Sequence, residues 1–157
     1  MRLKFLQIVL LFLVVMLNAQ LKENIFYKVS KISDGDTFYV KTENSEKFKI
    51  RLIGIDAPES YNVGTKVRKE YFGEEAKIHM KHILENKKVK LAFDVQKTDR
   101  YGRVLAYAYL ENGVFLNQYL VEQGYAVVAT FPPNVKFVES FAKAEKLARN
   151  KKRGLWK

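Results

Sequence analysis

Asp36, Arg51, Asp56, Glu59 and Arg103 carry the chemistry that can be read from this chain. Asp36 sits in Asp34-Gly35-Asp36-Thr37. Arg51, Asp56 and Glu59 share the segment Arg51-Leu52-Ile53-Gly54-Ile55-Asp56-Ala57-Pro58-Glu59, and Arg103 closes Asp99-Arg100-Tyr101-Gly102-Arg103. Two carboxylates hold a hard cation, a third handles a proton, and two guanidiniums clamp a phosphate. Those are the parts required for metal-assisted cleavage of a phosphodiester. A phosphodiester is anionic and repels an attacking hydroxide, so a cation beside its non-bridging oxygen and fixed arginines lower the barrier. Taken alone, each segment has a plainer reading: Asp34-Gly35-Asp36 is an ordinary turn, Arg51 a solvated strand residue, Glu59 a surface carboxylate. Their order and joint presence favour the chemical reading.

Alternating apolar and polar residues supply the elements that must position them. Ile25, Tyr27 and Val29 alternate with Phe26, Lys28 and Ser30. Phe38 and Val40 alternate with Tyr39 and Lys41, and Phe48, Ile50 and Leu52 with Lys47, Lys49 and Arg51. Turns at 33–36 and 43–46 join these three strands into an antiparallel meander, with Asp36 opening one strand and Asp56 ending another. Ala57-Pro58 ends the third strand, and the polar stretch 60–69, with Gly64, reads as a loop. Ala76, Met80, Ile83 and Leu84 then fall on one helical face. Strands are expected from Val89 to Val95 and from Val104 to Leu110. A helix at Leu116–Gln123 stops at Gly124, and a last one carries Phe137, Phe141, Ala144 and Ala148. The expected class is α+β: a five-stranded OB-type barrel with three helices.

Bulk properties limit the partners. The chain has 157 residues, 48% of them hydrophobic, and a formal net charge of +11, which fits one domain with a real core and a polyanionic partner. Nucleic acid is the first expectation and an anionic membrane or wall surface the second. Lysines are spread along the chain, which places the charge on a folded surface and not in a tail. The basic Lys-rich last helix is a solvated face or an added backbone contact. Residues 1–19 read as an export signal: Arg2 and Lys4, an apolar run from Phe5 to Leu17 broken only by Gln7, then cleavage after Ala19. The alternative is an uncleaved anchor. The expected domain is 20–157, secreted or periplasmic. With no cysteine, disulfides and thiolate metal sites are excluded. An EF-hand beginning at Asp34 fails because Phe38 and Tyr39 stand where a ligand and glycine are needed. His79 and His82 lack partners for zinc and read as structural.

The ordered set of segments resembles the thermonuclease family, the staphylococcal-nuclease-like domains. The resemblance runs from about Tyr27 to Trp156 and is carried by Asp34 to Thr37, Arg51 to Glu59, Tyr71-Phe72-Gly73-Glu74-Glu75-Ala76, Thr98 to Arg103 with Ala106-Tyr107, and Gly154-Leu155-Trp156. It implies a monomeric nuclease that uses calcium to cut DNA and RNA, leaving 3′-phosphate ends. It implies that Asp36, Asp56 and the Ala57 carbonyl hold the ion, and that Glu59 orients or deprotonates the attacking water. Arg51 and Arg103 then contact the phosphate, and Arg100 and Tyr101 a further substrate phosphate. Asp34 shapes the turn or supports a ligand. Two departures stand out. Ala57 replaces a frequent threonine, which leaves the ligating backbone oxygen intact. Thr130, in Ala129-Thr130-Phe131, stands where relatives place a tyrosine near the substrate base. The reading from another class is a noncatalytic OB module that binds nucleic acid or protein.

Overall fold

The computed structural model describes residues 20–63, 66–69 and 71–157; the expected export segment lies outside them. Strands β1 (Phe26–Asp34), β2 (Thr37–Lys41) and β3 (Lys47–Leu52) form the expected meander. β4 (Ile55–Asp56), β5 (Ser60–Val63) and β6 (Lys66–Lys69) precede helix α1 (Gly73–Leu84). Then come β7 (Lys88–Ala92), β8 (Val104–Leu110), α2 (Leu116–Glu122), β9 (Val127–Val128), α3 (Val138–Asn150) and a short 3-10 turn at Gly154–Trp156.

The barrel closes in the order β1-β2-β3-β8-β7. Closure needs two pairings between distant strands: β1 runs antiparallel to β7, and β3 runs parallel to β8 with Arg51 opposite Leu105. Inward residues are the ones that alternation selects: Phe38, Val40, Ile50, Leu52, Val89 and Leu91 are almost fully buried. β8 departs from alternation because both of its faces are covered. Ala106 and Ala108 fill the barrel, while Tyr107 meets Phe137 edge-on at 4.7 Å in the helical layer. Burial, then the carboxylate of Asp94 that accepts the Tyr107 hydroxyl at 2.8 Å, raises this phenol well above its ordinary range.

α1 buries Ala76, Met80 and Leu84 and carries Glu74 and Glu75 in its first turn and Lys81 and His82 in its last, which complements the helix dipole. His79 lies flat against Tyr125 at 3.7 Å, in keeping with a structural role. Within the stretch 60–69, expected as a loop, β5 and β6 pair antiparallel with Ser60 opposite Lys69. Its short strands lack the apolar alternation that marks a half-buried strand. The chain's last residues dock on the loop after α2: Leu155 N–H donates to Gly124 O at 2.9 Å, and the Arg149 guanidinium stacks 3.6 Å from the Trp156 ring. No helix among the described residues is long and apolar enough to cross a membrane.

Candidate active site

Arg51 is the hub of the barrel rim. β3 delivers it opposite Thr37, and the turn that follows brings Asp56 back toward it. Its Nη1 lies 2.6 Å from Asp36 Oδ2 and donates to Ile55 O at 3.0 Å; its Nη2 donates to Asp56 Oδ1 at 2.6 Å. One planar fork therefore spans both aspartates, a geometry that lysine could not reproduce. The two acids differ in exposure: the Asp36 side chain is 8% exposed and that of Asp56 59%. Asp36 is satisfied in its buried position. Besides Arg51, Oδ2 accepts the Ala57 N–H at 2.8 Å and Oδ1 accepts the Thr37 hydroxyl at 2.8 Å.

Two glycines make this approach geometrically feasible. Gly54 has φ 79° and faces Phe141, so a side chain there would both strain the turn and strike the ring. A Cβ on Gly35 would come within 2.7 Å of the Ala57 side chain and 3.0 Å of that of Ala76, so the Asp36 loop, the Ala57 segment and α1 meet at this point. Asp34 sits just behind: its Oδ1 accepts Gly35 N–H at 3.0 Å and Ser60 N–H at 3.4 Å. Burial, with a smaller contribution from the Asp36 charge, raises its carboxyl above the usual aspartate value in spite of those bonds.

Arg103 is held from the other side. Asp99 Oδ2 accepts Arg103 Nε–H at 2.6 Å, and Oδ1 accepts the backbone N–H groups of Tyr101 and Arg103, each at 2.9 Å. Burial pushes the Asp99 carboxyl up. The bonds from Arg103 and Tyr101, with the Arg103 charge, outweigh it and leave the group below its ordinary value. Tyr101, 68% exposed, has the Arg100 guanidinium 4.8 Å from its ring and that of Arg103 at 5.6 Å.

A cleft of about 550 Å³ connects these groups, lined by Arg51, Asp56, Arg100, Tyr101, Arg103 and, across from them, Phe131. Asp36 and Ala57 lie beneath Arg51. Glu59 does not line the cleft; its backbone carbonyl lies against Gly73 at the start of α1, and its Oε2 is shut off from solvent. Thr130 does not line the cleft, whereas its neighbour Phe131 does. The aromatic ring that this segment gives the cleft is Phe131, 72% exposed, one residue on. The backbone fixes this: Ala129 N–H is tied to Gly54 O, and Asn134 N–H closes a turn on Phe131 O. Buried Asn134 anchors the turn through two 2.8 Å bonds to the Gln96 backbone, and buried Asn117 joins Ile53 O to Ala108 N–H beneath the site. Asp99, Asn117 and Asn134 position the site through bonds that the sequence does not display. Only Asp99, inside a charged turn motif, left a signal there.

Among the described residues no three acidic or histidine side chains gather into a metal cage. The oxygen donors at the rim are two aspartates and backbone carbonyls, a hard and open set that suits calcium with water completing its shell. Bound to this pair, Arg51 already occupies a place where positive charge is favoured.

The fold is an OB-type barrel, and its rim gathers acids and arginines of the kinds that act on phosphodiesters. The model of the family described as staphylococcal nuclease homologue matches residues 49–157, and the chain belongs to this family. It is 38% identical to the thermonuclease of Staphylococcus hyicus over 83% of this chain and 75% of that protein, and 35% identical to the thermonuclease of Staphylococcus intermedius over the same shares. It is also 34% identical to the SPbeta prophage-derived endonuclease YokF of Bacillus subtilis, over 86% of this chain and 45% of that protein.

Proposed function

We propose that this protein is an exported, calcium-dependent nuclease that hydrolyses phosphodiester bonds of DNA and RNA and leaves 3′-phosphate ends. The observation that carries the proposal is the convergence of Asp36, Arg51 and Asp56 on a cleft that also holds Arg103. Asp36, Asp56 and the Ala57 carbonyl would hold calcium, which would supply Lewis-acid polarisation of a phosphate oxygen. Arg51 and Arg103 take the equatorial phosphate oxygens, where charge develops in the transition state. Asp99 keeps Arg103 aimed by holding its Nε, leaving the terminal nitrogens for phosphate. Glu59 is the residue assigned to orient or deprotonate the attacking water; because its Oε2 is buried and it does not line the cleft, that role requires its side chain to turn toward the cleft when substrate is bound. Arg100 and Tyr101 hold a flanking phosphate. Phe131 gives a sequence-tolerant platform for a base, since every base has a π-face. The apolar segment 1–19 behind a basic start supports export.

Cleavage of single-stranded DNA, duplex DNA and RNA by the purified protein, with calcium and with chelator, tests the reading. Calcium-supported cleavage of both DNA and RNA, abolished by chelator, is expected. Folded protein that binds these polymers and cuts none of them would make it a noncatalytic OB module instead.

A further inference from the structure

The outer wall of the barrel carries a one-sign charge pattern that is visible only in the strand register. On β3 the outward residues are Lys47, Lys49 and Arg51, so a line of cations on one strand leads into the rim. Register widens this line into rows. Lys31 on β1, Tyr39 on β2 and Lys49 on β3 are direct neighbours, and the two ammonium groups lie 6.0 and 5.8 Å from the Tyr39 ring. The next row crosses β7, β1, β2 and β3 as Lys88, Lys28, Lys41 and Lys47. That row borders a shallow depression of about 1300 Å³ lined also by Ile25 and Phe26. Among the described residues none of these lysines is in a salt bridge. Glu43 and Glu46 are confined to the β2–β3 hairpin loop.

Like charges directly opposed on neighbouring strands destabilise a sheet. The rows are roughly 7 Å apart along the strands and the lysines roughly 5 Å apart across them. Both spacings are shorter than the Debye length of about 8 Å at physiological salt, so the fields add. Elsewhere the surface is mixed: α1 sets Lys81 near Glu85, and α3 pairs Arg149 with Glu145. Carboxylates border this field only at its margins, Glu43 in the depression beside Lys28 and Lys41 and Glu74 and Glu85 in the hollow beside Lys31, and among the described residues none is in a salt bridge with these lysines; the excess of positive charge between them suits a partner with regularly spaced negative charge.

We propose that the lysine face of β1, β2 and β3 is a docking track for the phosphate backbone of the nucleic-acid strand whose scissile bond lies at Arg51. This deepens the nuclease reading and rests on it for the strand's identity. Continuity on β3 favours nucleic acid over a bilayer: a polymer that reaches Arg51 along this strand lies over Lys49 and Lys47 as well. Tyr39, between two ammonium groups, offers the aromatic–basic alternation that single strands use. The track requires no rearrangement, because its lysines stand on a closed barrel.

The test is a Lys28→Gln/Lys41→Gln/Lys47→Gln/Lys49→Gln variant beside one with arginine at the same four positions. Binding of a fluorescent single-stranded DNA of about 20 nucleotides is measured in chelator between about 50 and 200 mM salt, where each lost phosphate contact lowers the log–log salt slope by about 0.7. A slope reduced by about 2 or more in the glutamine variant and restored by arginine supports the track. So does a KM that rises about tenfold for the long strand relative to a trinucleotide. An unchanged salt slope and unchanged KM ratio would overturn it. Binding to phosphatidylserine vesicles that disappears in the glutamine variant while DNA binding stays the same would overturn it in favour of a membrane surface. Lysine-dependent DNA binding by a protein that cleaves nothing would keep the track and remove the nuclease reading.

Discussion

The rim and the lysine wall lie on the same strands and handle charge in opposite ways. At the rim, Asp36 is buried and every charge has a partner within hydrogen-bond reach; Arg51 touches two carboxylates and a carbonyl. Four residues back along the same face of β3, Lys47 stands in a row with Lys41 and Lys28, exposed, with no carboxylate paired to any of them. The rim has the features of a preorganised site: a buried Asp36, fixed guanidinium forks and little left to reorganise. The wall has the features of a screened, nonspecific field, effective at range and weak at any one contact. Removing a charge should therefore harm one region and relieve the other.

Arg51 gives the sharpest break. Arg51→Ala should lower kcat by about 10²–10³ and, without metal, cost about 3–5 kcal/mol by leaving the Asp36 charge buried without its cation. Adding Asp36→Asn should recover most of the stability in urea unfolding and none of the cleavage rate. Recovery of activity in the double variant would contradict the role given to both residues.

Asp99→Asn comes next. It removes the charge that aims Arg103 while leaving the guanidinium in place, and it should cost about 1–2 kcal/mol and roughly tenfold in kcat, equivalent to about 1.4 kcal/mol in the barrier. Asp99 is held below its ordinary value, so its contribution is present above the unfolded value of 3.8 and is lost as pH falls through the lowered folded value. The difference in unfolding free energy between wild type and variant should accordingly close only in strong acid.

At the wall the sign reverses. Lys41→Gln, which breaks up the Lys28–Lys41–Lys47 row, should raise stability by a few tenths of a kcal/mol at low salt, with the gain fading as salt rises. A loss of stability would mean that these lysines are structural after all.

The smallest effect belongs to neither region and serves as a control. Burial, and then the nearby His82, lowers the pKa of His79 below 6.5. The folded state thus favours neutral His79, and its stabilising contribution is complete above pH 6.5 and declines as pH falls below it. His79→Phe should flatten the urea midpoint between about pH 7 and 5 while leaving the cleavage rate at neutral pH within twofold.

What the sequence made legible depended on range. The alternation around Ile50 and the helical period of Ala76, Met80 and Leu84 are local patterns, and those elements formed within a residue or two of expectation. Barrel closure by β3 on β8 joins residues more than fifty positions apart, and no short pattern encodes it. The pairing of β5 with β6 was missed because these strands are polar, and β4 and β9 because two residues carry no period. At the rim, residue types and motif pointed to Asp36, Arg51 and Asp56, but not to one guanidinium bridging both acids. Asn117 and Asn134 read as surface polar residues, since asparagine is mostly exposed, and their burial follows from carbonyls and N–H groups contributed by other elements. Each lysine of the wall was visible in the alternation; that they stand side by side required the register.

The docking of Leu155 on Gly124 works like a zipper with no room between its teeth. Gly124 and Gly154 meet main chain to main chain, and a Cβ on either would strike the facing backbone. Leu155 N–H then closes the seam on Gly124 O, and the Arg149 guanidinium covers the Trp156 ring beside it. Any larger residue at either glycine would jam that seam and loosen the helical layer without touching the rim.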